Sequence, residues 1–379
     1  MLSDKIWLCT PHMGGNELKF IQEAFDTNWI APIGANLTFF EQDLENYLGS
    51  GNVAVLNSGT AAIHLGLVLL GVQVGDFVIC QSMTFSASAN PILYLGANPV
   101  FIDSEADTCN LCPLALEEAI KECIALGNKP KAIIAVHLYG IPYKIDVIRN
   151  IADTYQIPIL EDSAEALGSS YKGQMCGTFG DVGVLSFNGS KIITTSGGGA
   201  LITQSKVLKD KAIFLATQAR DKAPHYQHSE IGYNYRMSNI CAGIGRGQME
   251  VLNEHIELKR AIHEFYVDLF KDIDGVTVFA EPNADYFANY WLTTILVNPL
   301  KANGINREML RLAFSEKNIE SRPLWKPLHL QPIFSQYHYF GGNIAETLFD
   351  NGLCLPSGPI LTNNEKERIQ SVVVELFRK

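Results

Sequence analysis

Lys191 stands in a loop of small residues, Ser186-Phe187-Asn188-Gly189-Ser190-Lys191, directly after a run that reads as a strand, Asp181–Phe187. A lysine at a strand end among small residues has room for a covalent partner, and its amine is the side chain that condenses with a carbonyl. Upstream, Glu161-Asp162-Ser163-Ala164-Glu165 follows the apolar Ile157-Pro158-Ile159-Leu160. Carboxylates at the carboxyl end of a buried parallel strand lie where such sheets keep their ligands. Earlier still, Asn57-Ser58-Gly59-Thr60-Ala61-Ala62 sits between a strand pattern and a helix pattern. A glycine flanked by hydroxyls at a helix start can seat a phosphate on outward backbone N–H groups. Each motif also has an ordinary structural reading: a solvated lysine, a turn or cap at Asp162, an N-cap at Ser58 or Thr60.

The elements that must carry these residues alternate. Strands are expected at Asn52–Asn57, Asp76–Cys80, Pro99–Asp103, Ala132–His137, Ile157–Asp162, Asp181–Phe187 and Gly199–Thr203. Helices are expected at Thr60–Leu70, Thr84–Leu95, Leu114–Ala125 and Tyr143–Tyr155. Repeated β-α units of this size predict a mostly parallel central sheet with helices on both faces. Past about Arg246 the pattern changes. Gln248–Ile273 reads as one long helix ending near Gly275, followed by strands at Val276–Ala280 and Tyr290–Val297 and helices at Ile305–Lys317 and Asn364–Phe377. The expected organisation is a large ligand-binding α/β domain, residues 1–246, and a smaller C-terminal α+β domain, 247–379.

The chain has 379 residues, 47% of them hydrophobic, enough to bury a full core. Its net charge of −11 argues against a nucleic-acid partner, which needs a basic face. Apolar stretches fall far short of a membrane span, and the opening Met1-Leu2-Ser3-Asp4-Lys5 has no apolar run, so a cytoplasmic, soluble protein is expected. Among eight scattered cysteines only Cys109 and Cys112 form a CxxC, and no second pair completes a metal site, so free thiols and no metal are expected.

A phosphate-binding turn, then a carboxylate after a strand, then a lysine, within one parallel sheet, resembles the aspartate-aminotransferase fold (type I) of pyridoxal 5'-phosphate (PLP) enzymes. There a lysine forms an imine with the cofactor and a carboxylate keeps the pyridine nitrogen protonated, so the ring accepts electrons. More specifically, the chain resembles the DegT/DnrJ/EryC/StrS family of nucleotide-sugar aminotransferases over essentially its whole length. The resemblance rests on Asn28-Trp29-Ile30 with Gly34, Phe40 and Glu41, on Asn57–Ala62, on Thr84-Phe85, and on Val136-His137-Leu138-Tyr139-Gly140. It continues through Glu161–Gly168, Gly177-Thr178-Phe179-Gly180-Asp181, Ser186-Phe187 with Lys191, and Gly232-Tyr233-Asn234-Tyr235-Arg236-Met237-Ser238.

The resemblance implies PLP held by Lys191, with Asp162 at the ring nitrogen and Glu165 near the phenolic oxygen. It implies Phe85 stacked on the ring, and Gly59, Thr60 and Ser186 donating to the phosphate. It further implies that Asn234 reaches the phosphate from a neighbouring subunit, making a homodimer with shared sites. Arg220, Arg322, Lys326 and His329 are candidates for the nucleotide diphosphate, and His12 and Trp325 for the sugar or base. Taken alone, Phe85 also reads as a core aromatic, Asn234 as a turn residue and the cations as surface charges.

Within the family, the chain resembles aminotransferases of bacillosamine-type biosynthesis. Pro11–Leu18, Ile30-Ala31-Pro32, Lys191–Gly199 and Arg322-Pro323-Leu324-Trp325-Lys326 carry this. The wider family more often has His at position 188 and Gly-Glu-Gly-Gly where this chain has Ser196-Gly197-Gly198-Gly199. The implied reaction moves the amine of L-glutamate, leaving 2-oxoglutarate, onto a nucleotide-linked 4-keto sugar. A sugar dehydratase on the same fold would replace the lysine by histidine, and Lys191 speaks against it.

Overall fold

A computed structural model describes residues 4–377; the opening Met1, Leu2 and Ser3 and the last two residues lie outside that range. Eight strands form the central sheet in the order Asn52–Leu56, Gly199–Thr203, Val182–Ser186, Ile159–Asp162, Ala132–Val136, Phe77–Gln81, Asn98–Ile102, Tyr339–Phe340. All pairings are parallel except the two made by Gly199–Thr203, the one strand that runs against its seven companions.

Alternate residues of the strands feed different cores. Val78, Cys80, Ile134, Leu160 and Val184 pack with the helices Gly59–Leu69 and Lys206–Ala216. Ile79, Val100, Ile133, Ala135 and Ile159 pack with Pro113–Ala125 and Ile145–Tyr155. The strands are therefore apolar on both faces, as a helix-covered parallel sheet requires. Gly66 lets the Gly59–Leu69 helix lie close on the sheet, where a Cβ would stand 2.8 Å from the Leu160 side chain.

A second sheet, antiparallel throughout, is ordered Val276–Val278, Thr294–Val297, Gly352–Cys354, Arg322–Pro323. Its core is shared with the helices Leu252–Phe270, Arg307–Glu316 and Asn363–Phe377. Ile6, from the start of the chain, is buried in this core and bridges Ile319. Tyr339–Phe340, from the C-terminal third, completes the edge of the large sheet. Packing thus crosses residue 246 in both directions.

Three elements differ from the sequence expectation. The span expected as one helix at Thr84–Leu95 is a single 3₁₀ turn, Ser86–Ser88, and a short helix, Asn90–Tyr94, with Phe85 extended before them. Pro91 lacks an N–H and opens the second piece. The long helix expected at Gln248–Ile273 is two, Asn239–Met249 and Leu252–Phe270, broken at Glu250 and Val251. Tyr290 is left-handed (φ 45°), so the strand begins only at Thr294 and Asn289–Thr293 form an irregular turn. Among the described residues no helix is long and apolar enough to cross a membrane, and all eight cysteines are free thiols.

Candidate active site

The carboxyl ends of the parallel strands open onto a cavity of about 390 Å³. One wall is the Asn57–Thr60 turn. Ser58 caps the following helix, its hydroxyl accepting from the Ala61 N–H at 3.0 Å, which leaves Gly59 and Thr60 at the helix mouth. Ser186, Gly197 and Gly198 close that corner. The approach there is tight: a Cβ on Gly59 would lie 3.1 Å from that of Ser186, and one on Gly199 only 2.4 Å from the Gly59 nitrogen. Only glycine permits this packing of three backbone segments.

Two acids end the Ile159–Asp162 strand and a third, Glu165, follows it, and the structure separates them. Glu161 faces away from the cavity. Its carboxylate meets His137 Nε2 at 2.7 Å and accepts N–H bonds from Gly177, Phe179 and Gly180. Burial pushes its carboxyl up, but these partners overcome that and hold it below the usual range. With Cys176, these two residues have ligand atoms within 4.8 Å of one another, in a fully buried group whose carboxylate is already committed. Asp162, next along the strand, projects into the cavity. Its Oδ2 accepts from Ser88 Oγ at 2.7 Å, Ser88 meets Thr84 Oγ1 at 2.8 Å, and Oδ1 accepts from the Ala164 N–H at 3.2 Å.

Glu165 is buried opposite. Its Oε1 lies 3.2 Å from Lys191 Nζ, and its Oε2 accepts from the Tyr139 N–H at 2.7 Å. Burial raises this carboxyl to about 7, against the opposing pull of the Lys191 ammonium. Lys191 itself also stands over the ring of Trp291, its Nζ 4.0 Å from the centroid. Phe85, half exposed, stacks at a tilt on Trp325, which touches Tyr139 and Trp291 in turn, making an aromatic wall at the mouth.

The raised Glu165 has a consequence for stability. Its folded value of about 7 lies above the ordinary 4.5, so its contribution is fully present below 4.5 and is lost as pH rises through 7. In cofactor-free protein, wild type is expected to lose melting temperature relative to Glu165→Gln between pH 5 and pH 8. Thermal melts across that range check it, and parallel curves would place the titrating group elsewhere.

Gly59, Thr60, Phe85, Asp162, Glu165, Ser186, Lys191 and Trp325 therefore meet around one cavity. The other expected residues do not reach it. His12 lies behind the lysine loop, its Nδ1 2.9 Å from His255 Nε2. Arg322 closes its guanidinium on Glu320 at 2.7 Å and 3.0 Å, facing a separate cleft. His329 is held between Ser82 Oγ, 2.7 Å away, and Glu346, and stacks on Tyr339. Arg220 lies over Tyr226, Lys326 is exposed, and Asn234 is exposed with its carbonyl accepting from Asn57 Nδ2 at 3.1 Å. Conversely, Asn57, Thr84, Ser88, Asn188 and Trp291 line the cavity without having been foreseen. Asn57, Thr84 and Asn188 sit inside motifs already singled out, whereas Ser88 and Trp291 carry no local signal.

The chain matches the DegT/DnrJ/EryC1/StrS aminotransferase family over residues 11–374. It belongs to that family. It is 50% identical over 377 residues to EpsN of Bacillus subtilis (strain 168), described as a pyridoxal phosphate-dependent aminotransferase, covering 98% of this chain and 96% of that one. It is 38% identical over 367 residues to a GDP-perosamine synthase of Escherichia coli O157:H7, with 97% of each chain covered. Among solved structures, a family aminotransferase from Brucella abortus superposes with a TM-score of 0.89 at 29% identity, covering 96% of both chains.

This aminotransferase is a PLP enzyme of fold type I. The cavity fits that cofactor: an amine for its aldehyde, a buried carboxylate for its ring nitrogen, and at Gly59, Thr60, Ser186, Gly197 and Gly198 a corner of glycines and hydroxyl residues for its phosphate.

Proposed function

We propose that this aminotransferase moves the amine of L-glutamate onto the 4-keto carbon of a nucleotide-linked 4-keto-6-deoxy sugar. The acceptor we favour is UDP-2-acetamido-2,6-dideoxy-4-keto-glucose, giving the UDP-linked 4-amino sugar of bacillosamine-type glycan synthesis. The observation that carries the transferase reading is the convergence of Lys191, Glu165 and Asp162 on one cavity. The UDP choice rests on the Lys191–Gly199 and Arg322–Lys326 motifs. A second acceptor, GDP-4-keto-6-deoxymannose, is favoured by the 38% identity to a GDP-perosamine synthase.

When bound, PLP supplies an electron sink for the carbon that loses or gains the amine. The chain's own residues do the rest. Lys191 would hold the cofactor through its amine, and its Nζ would move a proton at the substrate carbon. Glu165, 3.2 Å away, holds or releases a proton beside that amine, because its carboxyl titrates near neutrality. Asp162, oriented by Ser88, holds the ring nitrogen's proton. Gly59, Thr60 and Ser186 take the phosphate at the helix mouth. Phe85 and Trp325 form an apolar face for the ring and the sugar.

Incubating the holoenzyme with glutamate and a panel of UDP-, GDP- and dTDP-linked keto sugars, followed by mass spectrometry, tests the acceptor. Amination of the UDP sugar alone is the expected result, amination of the GDP sugar alone selects the second acceptor, and no amination of any sugar overturns both.

Asn234 is proposed to serve the site of a second copy in a cytoplasmic homodimer. Support comes from the exposed apolar Phe25, Trp29, Ile30, Ile33 and Phe39, and from exposed Tyr226 and Ile231 near Asn234. If the sites are shared, inactive Asn234→Ala and Lys191→Ala chains complement on subunit exchange. About half the dimers are then mixed, each with one intact site, so recovery approaches about a quarter of wild-type activity. Verified mixed dimers without recovery would return Asn234 to its own chain's turn.

A further inference from the structure

The peptide carbonyls on either side of Lys191 are both held by side chains from distant parts of the chain. The Ser190 carbonyl accepts from Trp291 Nε1 at 2.6 Å and from Cys9 Sγ at 3.3 Å. The Ile192 carbonyl accepts from His255 Nδ1 at 3.1 Å. A carbonyl only accepts, so Nδ1 of His255 carries the hydrogen and its Nε2 receives that of His12 Nδ1, 2.9 Å away. Burial lowers the pKa of His255, in keeping with this neutral form.

The donors are themselves fixed. The Trp291 backbone N–H donates to Asn289 Oδ1 at 2.8 Å, and Asn289 Nδ2 donates to the carbonyls of Glu165 and Leu167 at 2.9 Å each. The Trp291 carbonyl accepts from Lys259 Nζ at 2.9 Å. That buried ammonium also donates to Ser357 O at 2.8 Å and Cys9 Sγ at 3.4 Å. One residue, Asn289, thus ties together the indole beneath the Lys191 amine and the segment carrying the carboxylate beside it.

We infer that Trp291 and His255 are positioning residues: by gripping the two carbonyls that flank Lys191 they fix its backbone, and with it the ε-amine, between the indole face and Glu165. A lysine that leaves and returns to one reacting carbon needs such a hold, because a side chain with four rotatable bonds on a glycine-containing loop would otherwise sample many positions. The break between the helices Asn239–Met249 and Leu252–Phe270 serves the same end. Gln248 before it accepts from the Thr194 N–H at 3.2 Å, and His255 after it reaches Ile192.

The inference rests on Lys191 being the residue that binds the cofactor. Borohydride reduction of the wild-type holoenzyme and peptide mapping test that separately. Four variants then test the grip: Trp291→Phe keeps a ring but loses the N–H, His255→Leu loses the donor, His255→Asn retains one, and Lys259→Met frees the Trp291 carbonyl. For His255→Leu and Trp291→Phe, kcat is expected to fall about 10- to 100-fold with KM for the keto sugar within about threefold. His255→Asn should recover most of the loss. In cofactor-free protein, a brief acetic anhydride pulse should label Lys191 more strongly, relative to the exposed Lys301, in His255→Leu and Lys259→Met than in wild type. If His255→Leu does not fold, the comparison of His255→Asn with His255→Ala decides. Unchanged kcat and unchanged Lys191 labelling in folded variants overturn the proposal, as does a loss that His255→Asn leaves in place.

Discussion

Replacing Lys191 with alanine is expected to abolish transamination and leave the fold standing. The loss is expected on the order of 10⁴–10⁶-fold in kcat, the scale seen when the group that bonds to the reacting partner is removed. The side chain lies at the cavity wall, 14% exposed, with two contacts, the Trp291 ring and Glu165 Oε1, and neither holds the sheet together. Its removal takes away the cation opposing the burial of Glu165, so that carboxyl stays protonated at neutral pH and is buried without charge. The melting temperature should therefore change little, and cofactor should still enter and leave as a dialysable ligand. Rates with glutamate, melts and dialysis of the variant are the measurements. Appreciable turnover by the alanine variant would show that another amine does this work.

Asp162→Asn is expected to lower the rate by about 10²–10³-fold, the scale for removing one preorganised charged or hydrogen-bonding group from a site. Both oxygens of Asp162 already accept hydrogen bonds, from Ser88 Oγ and from the Ala164 N–H. An amide can keep both: its oxygen faces Ala164, and the Ser88 hydroxyl turns to accept from the new NH₂ while donating to Thr84 Oγ1. Local structure is preserved and the negative charge is lost, so a ring nitrogen at this place no longer keeps its proton. Steady-state kinetics at saturating cofactor, beside a far-UV comparison of the fold, measure this. A rate within a few-fold of wild type would assign the ring nitrogen to a different residue.

The sheet and its helices were legible in the sequence because their signals are local. Ala132-Ile133-Ile134-Ala135-Val136 is apolar throughout, and strands of that kind have few solutions other than a helix-covered parallel sheet. Lys191, Asp162 and the Gly59 turn were legible too, because all follow the carboxyl ends of such strands, where the topology gathers them. Residue type alone could not rank the three acids Glu161, Asp162 and Glu165. The pleat decides between the first two: neighbours on a strand point to opposite faces, which sends Glu161 to His137 and Asp162 to the cavity. Arg220, Arg322, Lys326 and His329 suggested anion binding by charge. Tertiary contacts take Arg322 into an ion pair with Glu320 and His329 between Ser82 and Glu346, because a cation's nearest partner depends on folding, not on spacing. The hold on Lys191 was not legible at all. Cys9, the His255/Lys259 helix and Trp291 come from three well-separated parts of the chain, and no motif links them to the lysine loop. Residue type and strand-end position point to an amine, a carboxylate and a glycine turn at one edge of the sheet. That Glu165 is the carboxylate beside the amine, and that Trp291 and His255 reach the carbonyls around it, follow only from the folded chain, because hydrogen bonds between distant segments leave no period or motif in the sequence.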